Sequence, residues 1–348
     1  MLKAGVIGCG FISQNKYLPV LSKLKDRVEL VGICDLNKRL LEKVAQKFGI
    51  SKKFTDVNEF LESRNPDFVV IATPTSTHCH LACNCLRMGA DVLVEKPMAL
   101  TFNECDEMIK EAKRHGRKIG IMHNYLFNPA FMKARQLFED GEIGKFVSIR
   151  VLLSTSLEDF PSDRDHWTHR LPVGVIDETG PHGLYLALSY LENVNSVCVN
   201  FKKLLKDYPW LIAEDFEVNL VGENGMGSIR FLYASETTDT WIEIFGTKGL
   251  IKLNLLSRNV FKIIRPNYKP LTVLKSELKI LSDSFLNIVK NSLSYLFTPT
   301  IDAHYNGISK FISWLSNDSS YPADGEKGKE VVRVLELVNR EILKKKEN

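Results

Sequence analysis

The sequence predicts an α/β protein in which a parallel sheet wound with helices precedes an α+β domain with a large, mostly antiparallel open sheet. Short apolar runs alternate with helix-like segments as far as residue 123, which is typical of parallel βα units. From Lys145 onward, strand-like runs with alternating polarity dominate. The 348 residues also exceed one typical core. We therefore place the domains at 1–123 and 124–348, and expect a C-terminal helix over 325–344 that either stays with the second domain or packs back toward the first.

A glycine-rich turn joins the first predicted strand to the first predicted helix. Gly8 permits a tight turn, and Gly10 has no side chain to keep a pyrophosphate from the backbone at the helix N-terminus. The next apolar run, 28–34, ends on Asp35, where a carboxylate would accept hydrogen bonds from an adenosine ribose. This order predicts a Rossmann dinucleotide-binding domain. Its expected cofactor contacts are Gly8, Gly10, Phe11, Ile12 and Asp35.

Asp35 also bears on the choice of cofactor. Its negative charge would repel the 2′-phosphate of NADP, so the sequence favours NAD. Lys38 and Arg39 follow closely and leave NADP as the less favoured alternative.

Polar loops follow the later strands of this predicted sheet. The apolar run 67–72 leads into a loop with Thr73 and His78, and the run 91–94 delivers Glu95 and Lys96. Ligands of doubly wound sheets bind at the carboxyl ends of the strands. A last strand over 118–123 leads to Asn124, where the chain crosses into the second domain. The remaining expected cofactor contacts are Thr73, Pro74, His78, Glu95, Lys96 and Asn124.

Bulk properties exclude several classes of protein. The net charge of +4 argues against a nucleic-acid surface, and no apolar run is long enough to span a bilayer. Seven scattered cysteines fit a reducing compartment, and the first three residues lead into the first strand without room for a signal peptide. We expect a cytoplasmic protein that binds no nucleic acid and forms a homodimer or homotetramer through the second-domain sheet.

A helix predicted over 78–88 carries Cys79 and Cys83 on one face, beside His78 and His80. This spacing matches no standard zinc pattern, and buried free thiols are common. We predict that the protein holds no metal.

The second domain contains two further helical features. One helix is expected over 182–191. The segment 271–297 has apolar residues at alternating steps of three and four, as in an amphipathic helix, and its charges rule out an ordinary transmembrane span. Three interpretations remain open for it: a break near Ser282 with both halves folded back on the domain, contact with the same segment of a second subunit, or a position on a membrane surface. We expect burial against protein, which either of the first two would provide. The predicted strands are 146–153, 196–201, 216–221, 226–232, 241–245 and 250–254.

Several motifs together resemble one family, the Gfo/Idh/MocA oxidoreductases. The resemblance covers nearly the whole chain, and it implies a Rossmann domain, then an α/β domain with a large open sheet. It also implies nicotinamide-dependent hydride transfer, usually on sugars, cyclitols or their activated forms. The matching motifs are Gly8-Cys9-Gly10, Thr73-Pro74 with His78, Glu95-Lys96-Pro97, Glu178-x-x-x-His182 and Phe245-Gly246-Thr247-Lys248-Gly249.

Oxidation of a secondary alcohol needs a group that takes the hydroxyl proton while hydride leaves carbon. A lysine at a strand end can take that proton or steady the alkoxide, and histidine titrates near neutrality. The resemblance implies Lys96 and His182 as the catalytic pair, with Glu178 at a position often held by Asp; the neighbouring Asp177 is an alternative carboxylate. Tyr185 stands where many members have Asp, and could bond a sugar hydroxyl, act as an alternative acid, or pack.

The substrate is less well specified. Tyr125 lies in a segment where many members of the family carry Arg. The loop 163–170 has arginines that could grip a carboxylate or phosphate and a tryptophan that could stack on a sugar or base, although two aspartates also fit a solvated charged loop. The expected substrate contacts are Lys96, Tyr125, Arg164, His166, Trp167, Arg170, Asp177 and His182.

The sequence therefore favours an NAD-dependent oxidoreductase of a sugar, sugar nucleotide or cyclitol. Two alternatives stay open: a non-catalytic regulator that senses dinucleotide or sugar, and redox-neutral glycoside chemistry in which bound NAD is recycled. Retention of Lys96, Glu178 and His182 argues against the regulator.

Overall fold

The structure is a computed structural model that describes residues 1–159, 161–265, 267–297, 303–317 and 320–346. It divides into two compact units. The first unit comprises Met1–Asn124 and Ala303–Arg333, and the second comprises Tyr125–Asp302 and Val334–Asn348.

The strands fall into two sheets, one in each unit. Their bounds are β1 Leu2–Ile7, β2 Val28–Cys34, β3 Lys53–Phe54, β4 Phe68–Ile71, β5 Asp91–Val94, β6 Ile119–Ile121, β7 Phe146–Ser154, β8 Ser196–Lys202, β9 Asp215–Gly222, β10 Gly225–Leu232, β11 Asp239–Gly246, β12 Leu250–Asn254 and β13 Val260–Ile263.

Along the chain, the α-helices alternate with the strands in the first unit. In the second unit, helices come before, between and after the strands. Among the helices in the described part of the chain, none is long and apolar enough to cross a membrane. Their bounds are α1 Leu18–Lys23, α2 Lys38–Phe48, α3 Val57–Arg64, α4 His78–Arg87, α5 Phe102–His115, α6 Pro129–Glu139, α7 Val175–Leu188, α8 Pro270–Phe297, α9 Ala303–Asn317 and α10 Gly325–Lys346.

The first unit has a parallel sheet in the order β3-β2-β1-β4-β5-β6. β4 is buried along its whole length, as expected for a strand covered by helices on both faces. The chain builds outward from β1 to β3 and then returns to the other side of β1 with β4. The loops after β1 and β4 therefore flank the point where the strand order reverses, which is where such sheets bind ligands.

Residues 303–333 complete this unit. The Ile121 N–H donates to the Ala323 carbonyl at 2.7 Å, and the Phe311 ring packs edge-on against Phe68 at 5.7 Å. Because α9 carries its own apolar face, it covers strands of a sheet that lies far earlier in the sequence.

The second unit has a sheet in the order β13-β12-β11-β7-β10-β9-β8. β7 and β10 are parallel and the other neighbouring pairs are antiparallel, so the predicted mostly antiparallel sheet is confirmed. α7 packs on β7 and β10. It can approach closely because residue 183 is glycine: a Cβ there would lie 2.6 Å from the Ile229 side chain.

Two helix predictions need correction. α7 begins at Val175, seven residues before the predicted start at His182, and continues through Pro181. α8 is unbroken, so the predicted break near Ser282 is wrong. Its outer apolar residues are exposed within this chain, so burial against its own domain is also wrong. Leu293 and Leu296 continue the predicted apolar stripe in the sequence, but their side chains are outside the part that the structure describes.

Candidate active site

The loop after β1 contains two glycines with different requirements. Gly8 has φ +95°, and a Cβ there would lie 2.4 Å from the Ala72 carbonyl oxygen, so the fold itself requires glycine. A Cβ at Gly10 would meet nothing within 4 Å in the described part of the chain. The fold therefore does not explain Gly10, and the space beside it is open to a ligand.

The helical segment that follows the loop starts close to Gly10. The Gln14 N–H donates to the Gly10 carbonyl, and buried Ser13 closes the turn by donating its hydroxyl to the Gly8 carbonyl at 2.5 Å. Amides of a first helical turn have no intrahelical acceptor and favour an anion. The backbone of Phe11 and Ile12 thus lies where a pyrophosphate would be bound. Ser13 was not among the predicted contacts.

Asp35 is held rigidly at the end of β2. Its Oδ2 accepts from the Cys9 N–H and its Oδ1 accepts from the Asn37 N–H, both at 2.7 Å. A carboxylate has about four acceptor positions, so further ones remain for ribose hydroxyls. Phe11 is 80% exposed and Leu36 is 88% exposed, and each lies next to a loop that carries a predicted cofactor contact. Large apolar side chains of this kind are suited to covering by a base.

His78 is buried at the start of α4. Its Nδ1 lies 3.0 Å from the Pro97 carbonyl oxygen and its Nε2 lies 2.9 Å from the Thr73 carbonyl oxygen. Burial lowers the pKa of His78, while the neighbouring Thr73 and Pro97 carbonyls act in the opposite direction. The side chain therefore ties together the loops that follow β4 and β5, and supports Thr73 and Pro74 through the backbone.

Lys96 follows β5 and is half-buried. The buried Glu95 carboxylate accepts from the Lys96 N–H at 3.0 Å, and its other oxygen accepts from the Tyr17 hydroxyl at 2.7 Å. Burial, together with the nearby Lys96 charge, lowers the pKa of His123 to about 3. Glu95 thus holds the backbone of Lys96 in place. Tyr17, which the sequence did not single out, holds Glu95.

Three possible metal donors lie together on α4 and α5. The Sγ atoms of Cys79 and Cys83 and a Glu107 carboxylate oxygen lie within 4.8 Å of one another. Burial, together with nearby Cys83 and Glu107, raises the pKa of Cys79 to about 12. Metal ligation needs a thiolate, which this environment disfavours. The absence of a metal remains a prediction.

In the second unit, α7 carries four of the predicted residues. Asp177 is hydrogen-bonded within its own unit: Oδ2 accepts from the Val173 N–H at 2.8 Å and Oδ1 accepts from the Asn339 amide at 2.6 Å. Burial raises the pKa of Asp177. Glu178 is half-buried and lies one turn before His182, on the same side of the helix. These contacts favour Glu178 over Asp177 as the carboxylate beside His182.

His182 is oriented by two tyrosines. Its Nδ1 lies 2.7 Å from the Tyr185 hydroxyl, and that hydroxyl also accepts from the Tyr125 N–H at 3.1 Å. The Tyr125 ring lies against the His182 ring, with centroids 4.7 Å apart. The Tyr185 hydroxyl can donate or accept in this contact, and we take it as the donor to His182 Nδ1. A neutral His182 then carries its proton on Nε2 and presents a donor there.

Tyr185 is buried, at 2% exposure. Its hydroxyl forms hydrogen bonds with the Tyr125 N–H and with His182 Nδ1. Of the three roles that the sequence left open, this geometry supports a packed side chain that positions His182 rather than a direct substrate contact.

The loop before α7 presents a mixed surface. Arg164 and Arg170 are exposed and Trp167 is 52% exposed. His166 bonds Thr168 through Nδ1 at 2.8 Å. Both ring nitrogens of His169 are buried without a hydrogen-bond partner in the described part of the chain. The loop thus offers two cations and one aromatic face to a ligand, beside the two exposed carboxylates of Asp163 and Asp165.

Comparison with known proteins identifies the family. Residues 2–123 match the model of an oxidoreductase family with an NAD-binding Rossmann fold, GFO/IDH/MocA, and residues 131–252 match a GFO/IDH/MocA C-terminal domain. The chain is 26% identical over 259 residues to a D-apiose dehydrogenase of Paraburkholderia graminis, covering 72% of this chain and 67% of the relative. It is 29% identical over 259 residues to a myo-inositol 2-dehydrogenase of Thermotoga maritima, covering 72% and 74%.

Solved structures show the same fold. The WlbA dehydrogenase from Bordetella pertussis, determined with NADH and UDP-GlcNAcA, superposes with a TM-score of 0.78 at 22% identity, covering 99% of this chain and 96% of that one. The UDP-N-acetylglucosamine 3-dehydrogenase GnnA from Acidithiobacillus ferrooxidans gives a TM-score of 0.75 at 20% identity, covering 98% and 97%. With both of its domain models matched and this fold in place, the chain belongs to the GFO/IDH/MocA family of oxidoreductases, as the sequence motifs predicted.

Proposed function

We propose that this protein is an NAD-dependent oxidoreductase that transfers hydride between nicotinamide and a secondary alcohol of a sugar, sugar nucleotide or cyclitol. The observation that carries the proposal is the presence, in one unit, of open space beside Gly10, a fixed acceptor at Asp35 and a supported lysine at Lys96. The names of the relatives, which act on apiose and inositol, support the substrate class.

The cofactor would be held by first-unit residues. Gly10 leaves room for the pyrophosphate, and Asp35 accepts hydrogen bonds from the adenosine ribose. The loops that carry Thr73, Pro74 and Asn124 supply further contacts to the cofactor. Asp35 favours NAD because a 2′-phosphate would meet its charge. When bound, the nicotinamide supplies the hydride acceptor.

Lys96 and His182 are assigned different parts of the proton chemistry. Lys96 accepts the hydroxyl proton as the alcohol becomes a carbonyl. His182 donates its Nε2–H to the reacting oxygen and so stabilises the charge that develops there. Tyr185 keeps the imidazole in that tautomer, and Glu178 supplies a carboxylate one turn away.

The expected substrate contacts of the loop 163–170 suit an anionic sugar. Arg164 and Arg170 suit a carboxylate or phosphate, and Trp167 offers a stacking face. An acidic sugar or a sugar nucleotide carries both features. A plain cyclitol would use neither.

The remaining parts of the proposal concern organisation. Residues 1–123 form the cofactor domain, and residues 124–348 form the substrate and oligomerisation domain of a cytoplasmic homodimer or homotetramer. Free thiols at all seven cysteines support a reducing location.

The test is incubation with NAD and a panel of sugar nucleotides, uronic acids and inositols, followed by absorbance of the reduced cofactor and chromatography of products. Net reduced cofactor with a keto product is the expected result. Product without net reduction would indicate recycled NAD, and tight NAD binding with no product would indicate a sensor. Lys96→Met serves as the inactive control.

A further inference from the structure

Helix α8 turns an apolar stripe away from its own unit. Six large side chains along it are each between 54% and 71% exposed, although a helix packed on a sheet normally buries such residues. Leu286 and Val289 extend the stripe on one side. The six are Leu271, Leu274, Leu278, Leu281, Phe285 and Ile288.

The opposite face of α8 combines half-buried Val273 and Ile280 with polar residues, and it is this face that contacts the rest of the unit. Asn287 donates to the Val260 carbonyl at 3.2 Å, and Asn291 donates to the Ser257 carbonyl at 2.8 Å. On the same side, Ser276 accepts from Arg265 at 3.0 Å. Turning the apolar stripe inward would break these bonds. The outward orientation is therefore set by specific contacts.

The spacing of the stripe is that of a helix–helix seam. The six residues follow strict alternating steps of three and four over two and a half heptads. A sustained period of 3.5 residues keeps one narrow seam facing a partner helix. Because α8 runs without a break, the whole seam lies on a single helix.

The size of the stripe also matches a protein interface. Eight large apolar side chains exposed to this degree offer on the order of 800 Å² per copy, about the share that each partner contributes to a standard interface. A typical monomer leaves no apolar patch larger than about 300–600 Å².

Charges on the helix do not favour an anionic membrane. The helix has three lysines, Lys275, Lys279 and Lys290, against Glu277 and Asp283, an excess of only one positive charge. Glu277 is paired with Arg265. Helices that lie on anionic membranes usually carry a clear excess of Lys and Arg on the polar face.

We propose that a second copy of this chain covers the stripe, with two α8 helices packed antiparallel about a two-fold axis. A self-complementary seam is what a two-fold interface requires. The two-fold axis passes between Leu278 and Leu281. Leu278 then packs against Leu281 of the second copy, and Leu274 packs against its Phe285. Lys275 and Glu277 then face serines of the second copy rather than like charges.

The test compares the mass of the full-length chain with that of two variants by size-exclusion chromatography with light scattering. The stripe variant is Leu278→Glu, Leu281→Glu. The control, Thr272→Glu with Lys279→Gln, makes the same change of −2 in net charge on the same helix but off the stripe. The milder pair Leu278→Asn, Leu281→Asn replaces the stripe variant if the latter loses its circular dichroism spectrum or NAD binding.

A halved mass for the stripe variant, with the control unchanged, is the expected result. A stripe variant that keeps the wild-type mass would overturn the proposal, as would a monomeric wild type. Co-sedimentation with phosphatidylglycerol vesicles distinguishes the competing occupant. A monomeric wild type that pellets with vesicles, and a stripe variant that does not, would assign the stripe to a membrane surface instead.

Discussion

The two units hold their candidate residues in place by different means. In the first unit, backbone conformation and backbone hydrogen bonds position the candidate residues. Gly8 needs a positive φ, and Asp35 is fixed by two backbone N–H groups. In the second unit, His182 is set by the side chain of Tyr185, and Asp177 by that of Asn339. Backbone requirements restrict the sequence to a few residue types, whereas a side-chain contact can be met by many pairs. The contacts in the first unit therefore allow fewer residue types at their positions than the side-chain contacts of α7 do.

The largest expected effect is at Lys96. Lys96→Met keeps the length of the stem but removes the proton acceptor, so turnover should fall by about 10²–10⁴-fold. NAD binding should change little, because Asp35 and the glycine loop are untouched. Turnover by absorbance and NAD binding by fluorescence titration measure the two effects separately. Near-normal turnover would transfer the role to His182.

The two glycines of the first unit give a sharper contrast within that unit. Gly10→Ala should leave the fold intact, because the added Cβ meets no described atom within 4 Å, but should weaken NAD binding about tenfold or more by obstructing the pyrophosphate. Gly8→Ala should lower the free energy of unfolding by about 1–3 kcal/mol because of its φ and the Ala72 carbonyl. Urea unfolding and cofactor titration of both variants test the pair. Equal loss of stability in both would show that Gly10 is structural after all.

Cofactor choice depends on Asp35. Wild type should bind NADH about 10–100-fold more tightly than NADPH, because the fixed carboxylate repels the 2′-phosphate. Asp35→Ser should narrow this ratio. Dissociation constants of the two reduced cofactors by fluorescence measure it. Equal or tighter NADPH binding by the wild type would mean that Lys38 and Arg39 decide the preference.

The smallest effect is expected at Tyr185. Tyr185→Phe keeps the ring but removes one hydrogen bond to His182, so turnover should fall about three- to tenfold. The informative readout is the tautomer of His182, observed by ¹⁵N NMR of histidine-labelled protein. Wild type should carry the neutral-ring proton on Nε2, and the variant should show a mixture. A wild type protonated on Nδ1 would reverse the assigned donor, whatever the turnover.

Much of the fold follows from the sequence, and the exceptions have physical causes. β2 and β5 match the predicted runs because both are largely apolar, as parallel strands are, although β2 includes the exposed Glu29. The start of α7 was missed because Gly174, at φ +67°, precedes it with no side-chain cap and Pro181 interrupts the pattern. The outward face of α8 was missed because periodicity shows that a stripe exists but not which face meets the sheet.

The same distinction applies to the candidate site. Gly10, Asp35 and Lys96 follow from motifs whose spacing reflects the backbone. Tyr17 could not be predicted, because its partner Glu95 is 78 residues away and nothing local marks the contact. The hydrogen bond from the Tyr125 N–H to the Tyr185 hydroxyl likewise joins residues 60 apart in the sequence.

The central claim, direct hydride transfer from a secondary carbon to NAD, is tested most directly with an isotope. A substrate identified from the panel is labelled with deuterium at the carbon that is oxidised, and the reduced nicotinamide is analysed by mass spectrometry. We expect the reduced cofactor to carry the deuterium, and we expect Lys96→Met to form almost no reduced cofactor. Keto product accompanied by unlabelled reduced cofactor, or labelled product formed with no reduced cofactor at any time, would contradict it.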